Sequence, residues 1–228
     1  MTNQDLFTTY FLVGDKEISI NVKNNSNSKI VFFKKKINKN FDNFFFQDIE
    51  SFFLEKIEEV EGQIKLFIEN IVLIIEDKHM TSIEISLKKK IENRKITEEE
   101  LKNLLSNGLQ QIFKNNPDHK IVHFIVDKFN IDGQITDNVE NKMINGYLSA
   151  DLRFICFKKK IINQYKDLFK KKQIFLKKII SVEYLREFKN ECNDNYIDMA
   201  SKIESGYNKL EIKLVPKKTK KKGFFESF

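Results

Sequence analysis

The stretch from Lys120 to Ile180 most constrains what this chain can fold into. It reads K-I-V-H-F-I-V-D-K-F-N-I-D-G-Q at 120–134, G-Y-L-S-A-D-L-R-F-I-C-F at 146–157, then a lysine-rich segment and Q-I-F-L-K-K-I-I-S-V-E-Y-L at 173–185. Apolar runs of strand length separated by turn residues predict strand, turn, strand, and a further strand at the end. Between them Ile161, Ile162, Tyr165, Leu168 and Phe169 share one face at helical spacing, which predicts a helix over 158–172. The fold class expected is mixed, α/β (α+β).

The residues before this stretch continue the pattern. Three short strands are predicted within 7–36, with turns at Gly14-Asp15 and over Asn24 to Ser28. Residues 44–60 place Phe45, Ile49, Phe52, Phe53, Ile57 and Val60 three and four apart, the spacing of a helix with one buried face. N-I-V-L-I-I-E-D at 70–77 is a continuous apolar run, the mark of a strand buried on both faces. T-S-I-E-I-S-L-K at 81–88 alternates and predicts another strand, read here as part of the same layer. Thr97-Glu98-Glu99-Glu100 has the form of a capping box, opening a helix whose buried stripe is Leu101, Leu104, Leu105, Ile112 and Phe113. Asn116-Pro117 ends that helix. A last helix is expected over 183–205, then a short strand in L-E-I-K-L-V, broken at Pro216.

The chain has 228 residues, 41% of them apolar and 22 of them Phe, enough to build a packed core. M-T-N-Q-D-L-F lacks the basic start and apolar centre of a signal peptide, which points to the cytosol. Net charge is +7, yet of the 40 basic residues only Arg94, Arg153 and Arg186 are arginine. Scarce Arg argues against specific reading of base edges, so nucleic acid is the minor expectation. Cys156 and Cys192 are too few for a disulfide scaffold or a zinc site. His119 and His123 lie four apart on a strand, roughly 13 Å along one face, too far to share an ion. No acid–base pair or activated nucleophile emerges: the acids at 98–100 are accounted for by capping, and Glu55, Glu58, Glu59 and Glu61 form a solvated helix face. Catalytic, cofactor and metal residues are therefore expected to be absent.

With these residues in this order, the chain resembles the FtsA family, the actin-like proteins that tether the bacterial division ring to the membrane. H-K-I-V-H-F-I-V-D-K-F-N-I-D-G-Q at 119–134 carries the resemblance most specifically; G-Y-L-S-A-D-L-R-F-I and L-K-K-I-I-S-V-E-Y-L look like the family's next strands. The resemblance implies a truncated actin-like lobe over 1–90, a strand–helix–strand–strand insert domain over 91–182, a helix and short strand over 183–215, and a flexible tail over 216–228. It departs from the family at the phosphate loops. The family's strand-turn runs aliphatic-Asp-aliphatic-Gly-Thr, whereas F-L-V-G-D-K puts Leu12 at the Asp and Asp15 at the Thr. A carboxylate repels phosphate in a cradle of N–H donors. Only seven Gly are present, with no Gly-x-Gly. ATP is therefore not expected, and the second lobe is expected to be missing. Division proteins are the implied partners, through the insert, with self-association as a further implication. The ring protein FtsZ is a candidate whose main contact in the family lies on the second lobe.

The tail places Lys217, Lys218, Lys220, Lys221 and Lys222 directly before Phe224, Phe225 and Phe228. Lysines beside exposed aromatics suit an anionic bilayer surface, and FtsA-family proteins end in a basic amphipathic element. Each Lys adds about 1 kcal/mol at best and each partly inserted Phe about 1–2 kcal/mol, so a single tail holds weakly and several copies together hold firmly. The reading is a non-catalytic adaptor, peripheral on the inner face of the membrane.

Overall fold

The computed structural model of the chain describes residues 6–38, 44–136, 139, 142–188 and 195–214. Its first three strands, β1 (Phe7–Val13), β2 (Glu17–Asn24) and β3 (Ile30–Ile37), form an antiparallel meander. Helix α1 (Phe46–Ile64) then carries the chain back, so that β4 (Asn70–Ile75) pairs parallel to β1. The 70–77 run was expected to be buried on both sides, and β4 is: Ile71, Leu73 and Ile75 face α1, while Val72 and Ile74 face the opposite layer.

Residues 81–158 then leave this sheet and build a second one. Strand β5 (Thr81–Lys95), helix α2 (Glu98–Asn115), strand β6 (His119–Ile131), the short β7 (Gln134–Thr136) and strand β8 (Met143–Lys158) follow in order. The four strands are antiparallel, in the order β5-β8-β6-β7. The capping box at Thr97 and Glu100 is formed, with Glu100 also held by Lys89 and Arg94. Leu104 and Ile112 of α2 are buried against Leu148, Ala150, Leu152, Phe154 and Cys156 of β8.

Helix α3 (Lys159–Lys170) returns the chain to the first sheet, where β9 (Phe175–Ser181) pairs parallel to β4. The first sheet is thus ordered β3-β2-β1-β4-β9. Helices α1 and α3 cover one face, where Phe11, Phe53 and Phe169 meet with ring centroids 5.0–6.1 Å apart. Helices α4 (Val182–Arg186) and α5 (Tyr196–Glu204) cover the other face.

The mixed α/β class holds, with two sheets. Several finer expectations change. β5 does not extend the first layer but edges the second sheet, so a boundary at residue 90 falls inside a strand. Residues 175–181, expected in the insert, belong to the first sheet. The second sheet is built in the order strand, helix, strand, short strand, strand, starting at β5 rather than at residue 91, and α3 and β9 lie outside it. The single helix over 183–205 is two, α4 and α5. Among the described residues, L-E-I-K-L-V makes one bridge, Glu211 to Ile125, rather than a strand. Phe45 is the exposed residue before α1, and Phe113 is half exposed on α2.

Two phenylalanines in and beside α1 should respond to substitution in opposite directions. Phe53, 0% exposed, fills the core; Phe53→Ala should cost about 3–5 kcal/mol in urea unfolding. Phe45 leaves α1 without a side-chain cap. Phe45→Ser supplies an acceptor for the free N–H groups and should stabilise by about 0.5–1 kcal/mol.

Candidate functional site

The carboxyl ends of the parallel strands β1 and β4 meet at one edge of the first sheet, the end at which open α/β sheets gather ligands. β1 turns into β2 at Gly14-Asp15, with Gly14 N–H donating to the Glu17 carbonyl at 2.9 Å. β4 runs alongside, and Glu76 N–H donates to the Val13 carbonyl at 2.9 Å. This register brings the Glu76 carboxylate over the hairpin, where its Oε2 accepts from the Asp15 N–H at 3.4 Å. Its Oε1 is bound by Arg186, just beyond β9. The amide that a phosphate cradle would offer is therefore engaged by the protein's own carboxylate. Burial, and then the neighbouring Glu76, push the Asp15 carboxyl above the usual range, so this hairpin is already crowded with negative charge. Leu12, at the position where the family carries Asp, is buried in the layer between the first sheet and α5.

Beside the hairpin lies a cleft of about 440 Å³, bordered by Glu76–His79 and by the first turns of α1 and α3. Neither helix has a side-chain cap, so both leave backbone N–H groups and the positive end of a dipole toward the opening. Lys158, Lys160 and Gln164 line the α3 side; Phe46, Ile49 and Ile161 make the apolar wall. Tyr165 lines the cleft at 3% exposure, and its hydroxyl has no hydrogen-bond partner among the described residues. Burial and then the charge of Asp77 raise that hydroxyl above its ordinary range, so it is a neutral donor. One wall of the cleft thus suits an anion and the other, with Asp15, Glu76 and Asp77, opposes it.

A second polar cluster ties the two sheets together. His123 on β6 is 1% exposed. Its Nε2 accepts from the Ser181 N–H at the end of β9, at 3.1 Å. That bond places the ring proton on Nδ1, which donates to Glu211 Oε1 at 2.8 Å. Tyr184 on α4 stacks on the imidazole at 4.3 Å and donates to Glu211 Oε2 at 3.2 Å, while Asn208 Nδ2 donates to the Tyr184 hydroxyl at 2.8 Å. Backbone bonds from Val126 N–H to Leu210 and from Ile212 N–H to Phe124 lay 210–212 along β6. Arg153 on β8 joins Asp127 on β6 to Glu187 after α4.

The structure separates the residues that sequence singled out. His119 sits at the start of β6, partly exposed, and His123 is a buried structural residue. Cys156 is fully buried, its thiol pushed up to about 11 by burial, which leaves it inert. The described residues hold no group of three His, Cys, Asp or Glu side chains arranged for a metal ion. No described helix is long and apolar enough to cross a membrane. The tail residues Lys217, Lys218, Lys220, Lys221, Lys222, Phe224, Phe225 and Phe228 lie outside the described residues, as does Cys192. Glu76 and Glu211 were missed: a lone Glu after an apolar run carries no local sign of the backbone amide or imidazole it will meet.

No family model matches the chain, and no curated protein does. Solved structures do. One is the cytoplasmic domain of EpsL, an inner-membrane component of the type II secretion system of Vibrio cholerae, at 11% identity and a TM-score of 0.39, covering 77% of this chain and 57% of that one. Another is a PilM–PilN type IV pilus biogenesis complex, at 7% identity and a TM-score of 0.45, covering 82% and 50%. A third is a protein of unknown function from Bacteroides thetaiotaomicron VPI-5482 with an actin-like ATPase fold, at 12% identity and a TM-score of 0.33, covering 83% and 58%. The chain spans between half and three-fifths of these structures' length. The likeness is one of mixed α/β layout.

The inter-sheet cluster makes stability depend on pH. Burial first, opposed by the bond to Glu211, lowers the His123 pKa from its ordinary 6.5. As pH falls below about 6.5 the unfolded chain takes up this proton before the folded one, so stability is present above that pH and lost below it. Burial works against ionisation of Glu211, but His123, Lys178 and Tyr184 outweigh it and hold its carboxyl low, which adds a loss in the same direction at more acid pH. Urea unfolding from pH 7.5 downward should show a decline of about 1 kcal/mol per pH unit below 6.5, and His123→Gln should remove most of that slope while lowering stability at pH 7.5.

Proposed function

We propose that this chain is a non-catalytic adaptor built on one actin-like lobe. Its tail holds it at an anionic membrane surface, and the insert formed by β5, α2, β6, β7 and β8 binds proteins of the bacterial division machinery. The observation that carries the non-catalytic part is the Glu76 carboxylate on the Asp15 amide, with Arg186 behind it. A hairpin closed by an internal ion pair offers a phosphate group a carboxylate to displace rather than a donor to meet. Support for the lobe comes from the order β3-β2-β1-β4-β9, a meander continued by two parallel strands, with the insert spliced between β4 and α3. Support for the division role is the resemblance of residues 119–134.

The second reading, an actin-like nucleotide binder, is favoured by the cleft with its two uncapped helix N-termini and the unpartnered Tyr165 hydroxyl. A fluorescent ATP analogue separates the two. The adaptor reading expects no saturable binding by the native chain, and micromolar binding that Tyr165→Phe weakens would replace it with the nucleotide reading.

Membrane attachment is tested by co-sedimentation with anionic vesicles. Deleting 223–228 should abolish most of it, and unchanged sedimentation would sink the tether. In cells a fluorescent fusion should form midcell bands; a diffuse or nucleoid signal would reject the division role, the latter in favour of nucleic-acid binding with steep salt dependence.

A further inference from the structure

The second sheet ends in a long open edge. Its order, β5-β8-β6-β7, pairs β5 with β8 along one side only. Such an edge presents a row of N–H and C=O groups that another strand can take up. The pairing of β5 with β8 is regular from Thr81 to Ile91 and breaks only beyond it, where Asn93 takes a left-handed conformation (φ 42°). That straight stretch, T-S-I-E-I-S-L-K-K-K-I, contains neither Pro nor Gly. Ser82, Glu84, Ser86, Lys88 and Lys90 are exposed on one face. Ile83, Ile85 and Leu87 on the other pack against the core under α2 and stay half-buried, because the sheet stops beside them.

Three consecutive lysines ordinarily protect an edge from pairing. Two of these are already answered within the chain, Lys89 by Glu100 at 2.9 Å and Lys90 by Glu92 at 2.8 Å. Lys88 lies over the Tyr147 ring and has no carboxylate partner among the described residues. Glu84 likewise has no cation partner among them. Arg153, opposite it on β8, is turned to Asp127 and Glu187.

We infer that this edge docks a second copy of the chain, β5 against β5, antiparallel about a two-fold axis at Ser86. The inference is independent of what the other surfaces of the insert bind. A two-fold axis normal to the sheet must pair core-facing residues with core-facing residues, so the axis passes through a residue position. With the axis at Ser86, Glu84 faces the partner's Lys88 and Lys88 faces the partner's Glu84. On the other face Ile85 meets the partner's Leu87, and Ile83 meets the stem of the partner's Lys89. An axis at Leu87 would give Glu84 only the partner's Lys90, which Glu92 already holds. An axis at Ile85 makes no charge pair, and one at Lys88 sets that lysine against itself. Ser86 is also the midpoint of Thr81–Ile91, so the register that matches charge is the one that overlaps the whole straight edge. The result is a continuous sheet of eight strands with both α2 helices on one face. The two-fold axis consumes the edge, so assembly stops at two chains.

One strand edge is a small interface, which sets the expected dissociation constant in the micromolar range. Sedimentation velocity of the full chain over a concentration series should show a monomer–dimer equilibrium. Glu84→Lys and Lys88→Glu each set like charges opposite one another twice, and each should weaken the dimer about tenfold without changing the melting temperature. Mixing these two variants should restore association, because unlike chains then face each other with opposite charge. Ser86→Cys in a Cys192→Ser background, with Cys156 buried and inert, should be joined into dimers by a short bismaleimide. Ser82→Cys in the same background should not, since the two copies of residue 82 lie about 27 Å apart in this register. A monomer at every concentration, or a dimer indifferent to both charge reversals, would overturn the inference. Crosslinking at position 82 but not at 86 would overturn the register.

Discussion

The constraint on which this structure depends is the parallel pairing of β1, β4 and β9. Parallel strands cannot be joined by a hairpin, because each must begin at the same end. The chain therefore has to return across the sheet twice. Between β1 and β4 it does so through the meander and α1. Between β4 and β9 it does so through α3, and the whole second sheet is spliced in before that return. Because β4 lies inside the sheet, both its faces need cover, and the two helix layers follow from that need. The loops that deliver the chain into β4 and β9 must lie side by side, which is why Phe67 and Phe175 are neighbours although 108 residues apart in sequence.

An insert of this size needs fixing to its host, and the structure does this with polar as well as apolar contacts. Ile125 and Ile155 of the second sheet enter the same apolar cluster as Tyr10, Val72 and Ile180 of the first. Within that layer His123 and Glu211 would be expensive if left unpaired, since an unsatisfied buried polar group costs about 1–3 kcal/mol and a charged one more. Both ring nitrogens and both carboxylate oxygens have partners. Those partners come from β6, β9, α4 and the segment at 208–212. The bonds are directional, so they select one orientation of insert on lobe, whereas the apolar contacts alone would tolerate a sliding fit.

What could be read from sequence was local. The meander, the double-faced β4, the capped α2 and the amphipathic α3 all announce themselves through spacing, because spacing decides which side of an element is apolar. Partner choice left no such trace. Ile83, Ile85 and Leu87 alternate in β5 as they would in either sheet, and β8 rather than β4 receives them. The 183–205 region has apolar residues at helical spacing throughout, yet α4 ends at Arg186 and α5 begins at Tyr196. Asn195 is the cap that starts α5, and a capping Asn inside a presumed helix was the available sign. Phe45, Phe67, Phe113 and Phe175 show the limit of hydropathy itself: a phenylalanine counts as core until the fold shows which side it is on.

The hairpin at Gly14-Asp15 joins these arguments. The turn and the parallel register of β4 against β1 place one backbone N–H at the carboxyl edge of the sheet, and something must answer it. A phosphate would answer it from outside the chain. Here Glu76 answers it from the end of the adjacent strand, and Arg186 at the end of α4 neutralises Glu76. The ion pair lies at the surface, where such a pair contributes about 0–1 kcal/mol, so its effect on stability is small. Its effect on binding is larger, because an incoming anion would have to displace a carboxylate and meet Asp15 beside it. The carboxyl edge of the first sheet thus presents a carboxylate, held by Arg186, where a free amide would otherwise meet an incoming anion.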